Sequence, residues 1–190
     1  YEAGFHNTTA SDNSALGYRA LQQNITGASN TAVGYNSLLA NTTGANNNAV
    51  GANALDANTT GNSNNAFGRE ALSDNTTGGQ NCAFGHEALE DNISAGNNSA
   101  FGFRALRVNT TGTQNVAVGA DSLDSNTTGS FNIAVGHDAL QANTTGGYNV
   151  AIGQTALGAA TTVSHNTAVG GGALERATTA NNTAIGFGCL

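Results

Sequence analysis

The sequence lacks residue types on which most globular proteins depend. Its 190 residues include no Pro, no Met and no Trp, and only 9% of them are charged, against roughly 25% in an average soluble domain. Its apolar residues are largely Ala, so a conventional core of large side chains is excluded. Disorder is also disfavoured, because disordered chains are usually rich in Pro, Glu and Lys and carry more charge per residue.

The scarcity of basic residues limits the partners of the chain. The formal net charge is −7, so the clustered cations that bind phosphate backbones are missing, and we expect no nucleic-acid partner. No apolar run approaches the ~20 residues of a membrane span, so we expect no membrane insertion by this segment. Two cysteines, Cys82 and Cys189, are too few for a disulfide framework. The chain begins with Tyr1 rather than Met, as expected of a processed chain or a segment of a longer fibre.

A 17-residue repeat accounts for this composition. Its consensus is N-x-A-Φ-G-x-x-A-L-x-x-N-T-T-G-x-x, where Φ is apolar and the first Asn is position one. Position three is Ala, position five is Gly and position nine is Leu in every copy. The eleven copies begin at Asn13, Asn30, Asn47, Asn64, Asn81, Asn98, Asn115, Asn132, Asn149, Asn166 and Asn182, at intervals of 17 residues except for a last interval of 16.

The repeat predicts an all-β fold, a parallel β-solenoid (β-roll) of about eleven 17-residue coils that forms a single domain over residues 1–190. A helical repeat needs about 33 residues or more, and a Gly in every copy disfavours helix. Stacked coils about 4.8 Å apart would form a rod roughly 50 Å long. In such a coil, Gly at position five suits a corner with positive φ, Ala at position three suits a narrow interior, and the Asn residues can form amide ladders.

Position four predicts an exposed apolar stripe. Adjacent strand residues point to opposite faces, so an inward Ala at position three directs position four outward, where a continuous apolar surface indicates an interaction site. The alternative is that position four lies inside at a bend. We interpret the column as an oligomer contact made by Val33, Val50, Phe67, Phe84, Phe101, Val118, Val135, Ile152 and Val169.

The charged residues are confined to one part of the repeat. All but Asp12 fall at positions six, seven, ten and eleven, which predicts a solvated, variable edge. The N-T-T-G edge is polar but almost uncharged. It is either a second solvated face or a surface that meets a neighbouring chain, a carbohydrate or ice.

No arrangement of residues indicates catalysis, a cofactor or a metal. His86 and His137 share position six but are three repeats apart, about 14 Å by the coil spacing, which is too far for a shared metal. We interpret both as surface side chains. Cys82 and Cys189 are six repeats apart, so no disulfide joins them within the chain. The recurring N-x-S/T triplets are formal glycosylation acceptors, but a structural need for Asn and Thr at the corner explains them as well.

The segments NTAVGYNSL, NNAVGANAL, NVAIGQTAL and NTAIGFGCL resemble the head repeats of YadA-like trimeric autotransporter adhesins. They are also similar to repeat shafts of bacterial and phage fibre proteins. The resemblance covers almost the whole chain, although this repeat carries an additional N-T-T-G segment. It implies a left-handed parallel β-roll in which three chains pack side by side as a rod on the cell surface and bind host or matrix components.

These observations together lead to the expected function. We expect a non-enzymatic, extracellular structural or adhesive fibre segment at the cell surface, which self-associates as a homotrimer or a filament and contacts host matrix, surface glycans or other cells. The alternative is an ice-binding or carbohydrate-binding solenoid that uses the Asn/Thr edge.

Overall fold

The computed structural model describes residues 2–190, and Tyr1 lies outside the described residues. Eleven strands of three residues each form one parallel sheet in which every strand pairs with the next along the chain. Strands β1 to β11 are Ser14–Leu16, Thr31–Val33, Asn48–Val50, Asn65–Phe67, Cys82–Phe84, Ser99–Phe101, Val116–Val118, Ile133–Val135, Val150–Ile152, Thr167–Val169 and Thr183–Ile185. We number the coils one to eleven after the strand that each contains.

One repeat forms one coil, as the sequence predicted. Each strand residue pairs with the residue at the same repeat position in the next coil, for example Ala83 with Ala100. The shorter last interval keeps this register, because Ala168 pairs with Ala184. Backbone hydrogen bonds also join adjacent coils outside the strands, as in Leu89 N–H to the Ala105 carbonyl at 3.1 Å. The predicted all-β, parallel solenoid is confirmed.

No α-helix occurs among residues 2–190. Consequently, no helical segment in that part of the chain has the length and hydropathy needed to span a lipid bilayer. The handedness that the family resemblance implies stays a prediction.

The apolar interior consists of three side chains per coil. Ala at position three, Ala at position eight and Leu at position nine are each fully buried in coil five, as Ala83, Ala88 and Leu89. A single Leu per coil stacks on the Leu above and below, so the core is a column rather than a cluster. Its stability depends on repetition, since each coil buries little apolar area by itself.

Backbone geometry explains why some repeat positions accept only one residue type. Gly85, at position five, has a φ of +145°, and a Cβ added there would lie 2.2 Å from the carbonyl oxygen of Gly102 in the next coil. The expectation of positive φ at position five is confirmed. Leu89, at position nine, also has a positive φ, of 54°, a conformation that costs an L-residue about 1–2 kcal/mol. Burial of the side chain and the hydrogen bond of Leu89 N–H to Ala105 offset that cost.

The Asn residues at positions one and twelve lie inside the coil. In coil four, the Nδ2 group of Asn75 at position twelve donates to the Asn58 Oδ1 atom of the preceding coil at 2.9 Å and to the Gly78 carbonyl at 3.0 Å. At position one, Asn64 Oδ1 accepts the backbone N–H of Asn81 at 3.0 Å. The predicted amide ladder is therefore present at position twelve. At position one, each Oδ1 atom accepts the backbone N–H of the next coil, and in later coils it also accepts the next Asn side chain, as in Asn149 Nδ2 to Asn132 Oδ1 at 3.1 Å. Both columns satisfy buried polar groups that an apolar core would leave unpaired.

Candidate functional site

The strands present an outward surface, formed by positions two and four of β1–β11, which we call the outer strand face. Position three points inward in every strand, so its two neighbours point away from the core. All nine residues predicted as the oligomer contact lie on this face: Val33, Val50, Phe67, Val135 and Val169 are half-buried, and Phe84, Phe101, Val118 and Ile152 are exposed. The alternative in which position four lies inside is therefore wrong, while the contact itself stays a prediction.

Aromatic rings give the outer strand face a rigid central part. Phe67 and Phe84 stack in parallel with ring centroids 4.6 Å apart, and Phe84 and Phe101 stack at 5.3 Å. These rings cover one another because the register places position four of each coil directly over the last. Phe67, Phe84 and Phe101 therefore form a continuous apolar stack on the protein surface, in which Phe84 and Phe101 are exposed to solvent.

The apolar surface widens in coils seven to nine. Position two, which is polar in most coils, holds Val116, Ile133 and Val150 there. Just before those strands, Phe131 and Tyr148 at position seventeen stack with centroids 4.7 Å apart and are exposed. Sequence reasoning missed this widening because it followed position four alone. The signal was a run of β-branched residues at an otherwise polar position.

The outer strand face carries no charged residue in β1–β11. It does carry a thiol, since Cys82 occupies position two of β5 and is half-buried. Burial raises the pKa of the Cys82 thiol. Cys82 and Cys189 are both free, so the expectation that no disulfide joins them holds.

The charged residues form a separate edge along positions six, seven, ten and eleven. Ion pairs join adjacent coils there, such as Arg107 Nε to Asp124 Oδ1 at 2.8 Å. Within residues 2–190, several acids on this edge form no such ion pair. Burial, followed by neighbouring carboxylates, raises the pKa values of Glu90 and Asp91. The largest effect is on Asp56, whose pKa is raised to about 6, first by burial and then by Asp74 and Glu70.

Two histidines on the charged edge stand among carboxylates. His86 lies with Glu87 of its own coil and Glu70 of the preceding coil, and the ligand atoms of the three side chains lie within 4.8 Å of one another. His137 has the same arrangement with Asp138 and Asp121. The expectation that the two histidines do not meet each other fits this arrangement. Sequence reasoning missed the second acid of each group, Glu70 or Asp121, which belongs to the preceding coil and lies beside the histidine because the coils stack.

Stacked carboxylates at position seven oppose folding unless they are compensated. Two unit charges about 5 Å apart repel by about 1 kcal/mol in water and about 3 kcal/mol near a protein surface. Around His86 the compensation is visible, because Arg69 pairs with Glu70 at 2.8 Å and Arg104 pairs with Glu87 at 2.9 Å. The hydrogen bond from Arg104 lowers the pKa of Glu87.

The Asn/Thr edge presents less to a partner than the sequence suggested. The position-twelve Asn residues Asn24 to Asn143 are fully buried, so the side-chain nitrogens of these N-x-S/T triplets are not accessible in the fold. Thr59, at position thirteen, donates its hydroxyl to the Thr76 carbonyl at 3.0 Å. Position fourteen, for example Thr60, is exposed in every coil that includes it, whereas position thirteen is half-buried in most coils and exposed in a few, such as at Ile93. The continuous exposed column of this edge is therefore the one at position fourteen, which is Thr except for Ser94.

The outer strand face is the surface on which the repeat places an exposed or half-buried apolar residue in every coil. The charged edge and the Asn/Thr edge are polar, and the histidine clusters are local. Comparison of the chain with known proteins gives no further assignment, because no family model, no curated protein and no solved structure matches it.

Proposed function

We propose that this chain is a segment of an extracellular structural or adhesive fibre, and that copies of it associate side by side through their outer strand faces. The observation that carries the proposal is the uncharged outer strand face, on which position four is apolar in all eleven strands. A surface of this kind, repeated without interruption, is typical of an interface between proteins. Each copy presents the same surface, which makes a second copy the natural partner.

The distribution of charge favours this partner. Each copy carries a net charge of −7, and like-charged rods repel one another. The charges lie on positions other than two and four, so two copies can bring their outer strand faces together while their acidic edges stay in solvent. Screening over about 8–10 Å at physiological salt weakens the repulsion that remains.

The size of the outer strand face limits the contact that one neighbour can make with it. Eleven strands and the span from position two to position four give an outer strand face of about 50 Å by 7 Å, or about 350 Å². A stable interface takes about 800 Å² from each partner. Including the position-seventeen column increases the area to about 650 Å². The outer strand face with this column therefore stays somewhat below the usual contribution of one partner, and a trimer or a filament needs additional surface from neighbouring columns.

Resemblance to YadA-like head repeats supports the same arrangement and adds the cell surface as its location. It also supports an adhesive role, with host matrix, surface glycans or other cells as partners. A non-catalytic role fits a chain whose chemistry is spread over like coils, since catalysis needs a cluster of acids, bases or nucleophiles at one place.

Sedimentation velocity of two matched variants tests the association. Val118→Lys/Ile152→Lys places two cations on the outer strand face, where both side chains are already exposed, so we expect the coil to fold. The control Thr128→Lys/Thr162→Lys places the same charges on the exposed threonine column of the same coils. At micromolar concentration we expect an oligomer for the wild type and the control, and a monomer for the first variant.

A monomeric wild type at ~100 µM would refute the self-association. So would an oligomer that the two lysines on the outer strand face leave intact. Reactivity of Cys82 gives an independent measurement, because association should shield this thiol. With Cys189 changed to Ala, labelling of Cys82 should slow as the protein concentration rises.

The exposed threonine column supports a second candidate, an ice-binding or carbohydrate-binding surface. Position fourteen is Thr or Ser in every coil and repeats at about 4.8 Å. A recrystallisation assay and a glycan array would test it. Activity that Thr60→Lys and Thr77→Lys abolish would favour this candidate over the fibre role.

A further inference from the structure

The two histidine clusters occupy the same repeat positions in different coils. In each, His is at position six, one acid is at position seven of the same coil, and the other acid is at position seven of the coil before. The first cluster is Glu70, His86 and Glu87, and the second is Asp121, His137 and Asp138. Position six is His in these two coils alone, and apart from Glu2 every acid at position seven belongs to one of the two clusters.

The clusters differ in how their negative charge is compensated. Arg69 and Arg104 each form an ion pair with one acid of the first cluster, at 2.8 Å and 2.9 Å. The positive charges of those guanidinium groups already compensate the two carboxylates of the first cluster. The Nδ1 atom of His86 is enclosed and makes no hydrogen bond among the described residues, although Glu87 Oε1 is 3.3 Å away.

Among residues 2–190, no guanidinium group forms an ion pair with the second cluster. Coil nine, which follows the second cluster, has Thr155 at position seven, where coil six, which follows the first cluster, has Arg104. Coil seven has Ala120 at position six, where coil four has Arg69. Within residues 2–190, the only ion pair that involves Asp121 or Asp138 joins His137 Nδ1 to Asp138 Oδ2, at 2.7 Å. One histidine therefore lies beside two stacked carboxylates and forms an ion pair with one of them.

We propose that Asp121, His137 and Asp138 bind a divalent transition-metal ion, with zinc as the best fit. The three side chains supply two carboxylate oxygens and one imidazole nitrogen, all within 4.8 Å of one another. Imidazole together with carboxylate suits Zn²⁺, Cu²⁺ or Ni²⁺, whereas Ca²⁺ and Mg²⁺ prefer oxygen ligands alone. A tetrahedral zinc ion bound by three protein ligands keeps one position for water, and the exposed His137 ring leaves that side open.

This site is separate from the self-association surface. Its residues lie at positions six and seven, on the charged edge, while the outer strand face is formed by positions two and four. A bound ion would link coil seven to coil eight and neutralise the stacked carboxylates. Its presence does not depend on the fibre role, so either proposal can fail without the other.

Isothermal titration with ZnCl₂ at pH 7.5, in a buffer that does not bind metals, tests the site. We expect about one zinc ion per chain with a Kd in the micromolar range, as for a three-ligand surface site. His137→Ala should weaken binding at least tenfold, and Asp121→Asn should also weaken it. The matched change His86→Ala should leave binding unchanged, because arginines already neutralise the first cluster.

A gain-of-binding variant separates metal binding from loss of folding. Replacing both guanidinium groups of the first cluster, in Arg69→Ala/Arg104→Ala, should create a second zinc site and raise the stoichiometry to about two. Circular dichroism checks that each variant keeps its fold. The histidine ring signals in a proton NMR spectrum should show which ring shifts when zinc is added.

Three results would overturn the proposal. The first is no zinc binding by the wild type below about 1 mM. The second is binding that His137→Ala leaves intact. The third is a stoichiometry of one ion per two or three chains that disappears with Val118→Lys/Ile152→Lys, which would place the ion between copies instead of within one chain.

Discussion

Replacing one amide of the buried Asn column gives a sharp test of the interior. Asn75 is fully buried, donates to Asn58 Oδ1 and the Gly78 carbonyl, and accepts from Asn92 Nδ2 at 2.8 Å. Asn75→Asp keeps the shape and the acceptor but removes both donated hydrogen bonds. The two oxygens that received them would then face a carboxylate.

The cost can be worked out from these contacts. Keeping the new carboxyl protonated at pH 7 costs about 4 kcal/mol when its pKa in the unfolded state is 3.9. This cost is the most that the charge itself can contribute to the destabilisation. The protonated acid donates one of the two lost bonds and leaves one buried acceptor unpaired, which costs about 1–3 kcal/mol. We therefore expect Asn75→Asp to lower the free energy of unfolding by up to about 5–7 kcal/mol at pH 7 and by about 1.5–3.5 kcal/mol at pH 4.

The sign of the pH dependence follows from the direction of the pKa change. Burial raises the pKa of the new carboxyl in the folded state, so the folded state binds more protons and the variant loses stability as pH rises above about 4. Urea unfolding at fixed protein concentration, with the exposed Asn46→Asp as the control, measures the difference at each pH. An Asn75→Asp variant as stable as the control at pH 7 would refute the buried ladder.

Two further predictions concern the charged edge and the end of the position-twelve Asn column. Asp56→Asn should raise the free energy of unfolding at pH 7.5 and change it little at pH 4, because burial raises the pKa of Asp56 to about 6 and its ionised form opposes folding above that pH. The full shift of the Asp56 pKa corresponds to about 3 kcal/mol, and solvent screening of this half-exposed group reduces the expected gain in stability to about 1 kcal/mol. Urea midpoints at pH 7.5 and pH 4 measure this gain. Equal gains at both pH values would contradict the role of the ionised carboxylate. Ala160→Asn/Val163→Gly restores the consensus beyond Asn143, whose Oδ1 is buried without a partner in residues 2–190. The new amide would donate to Asn143 Oδ1, but its own Oδ1 would lack an amide donor at Ala177, and the contact of Val163 with the core would be lost. We therefore expect a gain of at most about 1 kcal/mol in the free energy of unfolding. A urea midpoint well below that of the wild type would show that the coil cannot accept the amide.

Several structural features could be predicted residue by residue. Ala at position three indicated a narrow interior, and the period of two in a strand then placed Val118 and Phe84 outside, where the structure has them. Gly at position five indicated a corner, and Gly85 has the expected positive φ. These predictions succeeded because each depends on one residue and its immediate neighbours in the chain.

Other features could not be predicted because they depend on where the coil turns. Asn at position twelve is a typical corner residue, and sequence reasoning placed it on an uncharged edge, yet Asn75 is fully buried. Leu at position nine gave no sign of a positive φ, because Leu rarely adopts that conformation. Stacking between coils overrides that preference in Leu89, whose backbone N–H reaches the Ala105 carbonyl.

The sequence by itself determined the period, the number of coils, the confinement of charge to one edge and the residues that point outward. A repeat of identical steric needs leaves few ways to stack, so periodicity alone predicts a solenoid. The tertiary structure decided which polar residues lie inside and which acids meet each histidine. Asp121 and His137 are 16 residues apart in the chain, and only the path of the coil brings them together. That path depends on backbone dihedrals and hydrogen bonds between coils, which no single repeat contains.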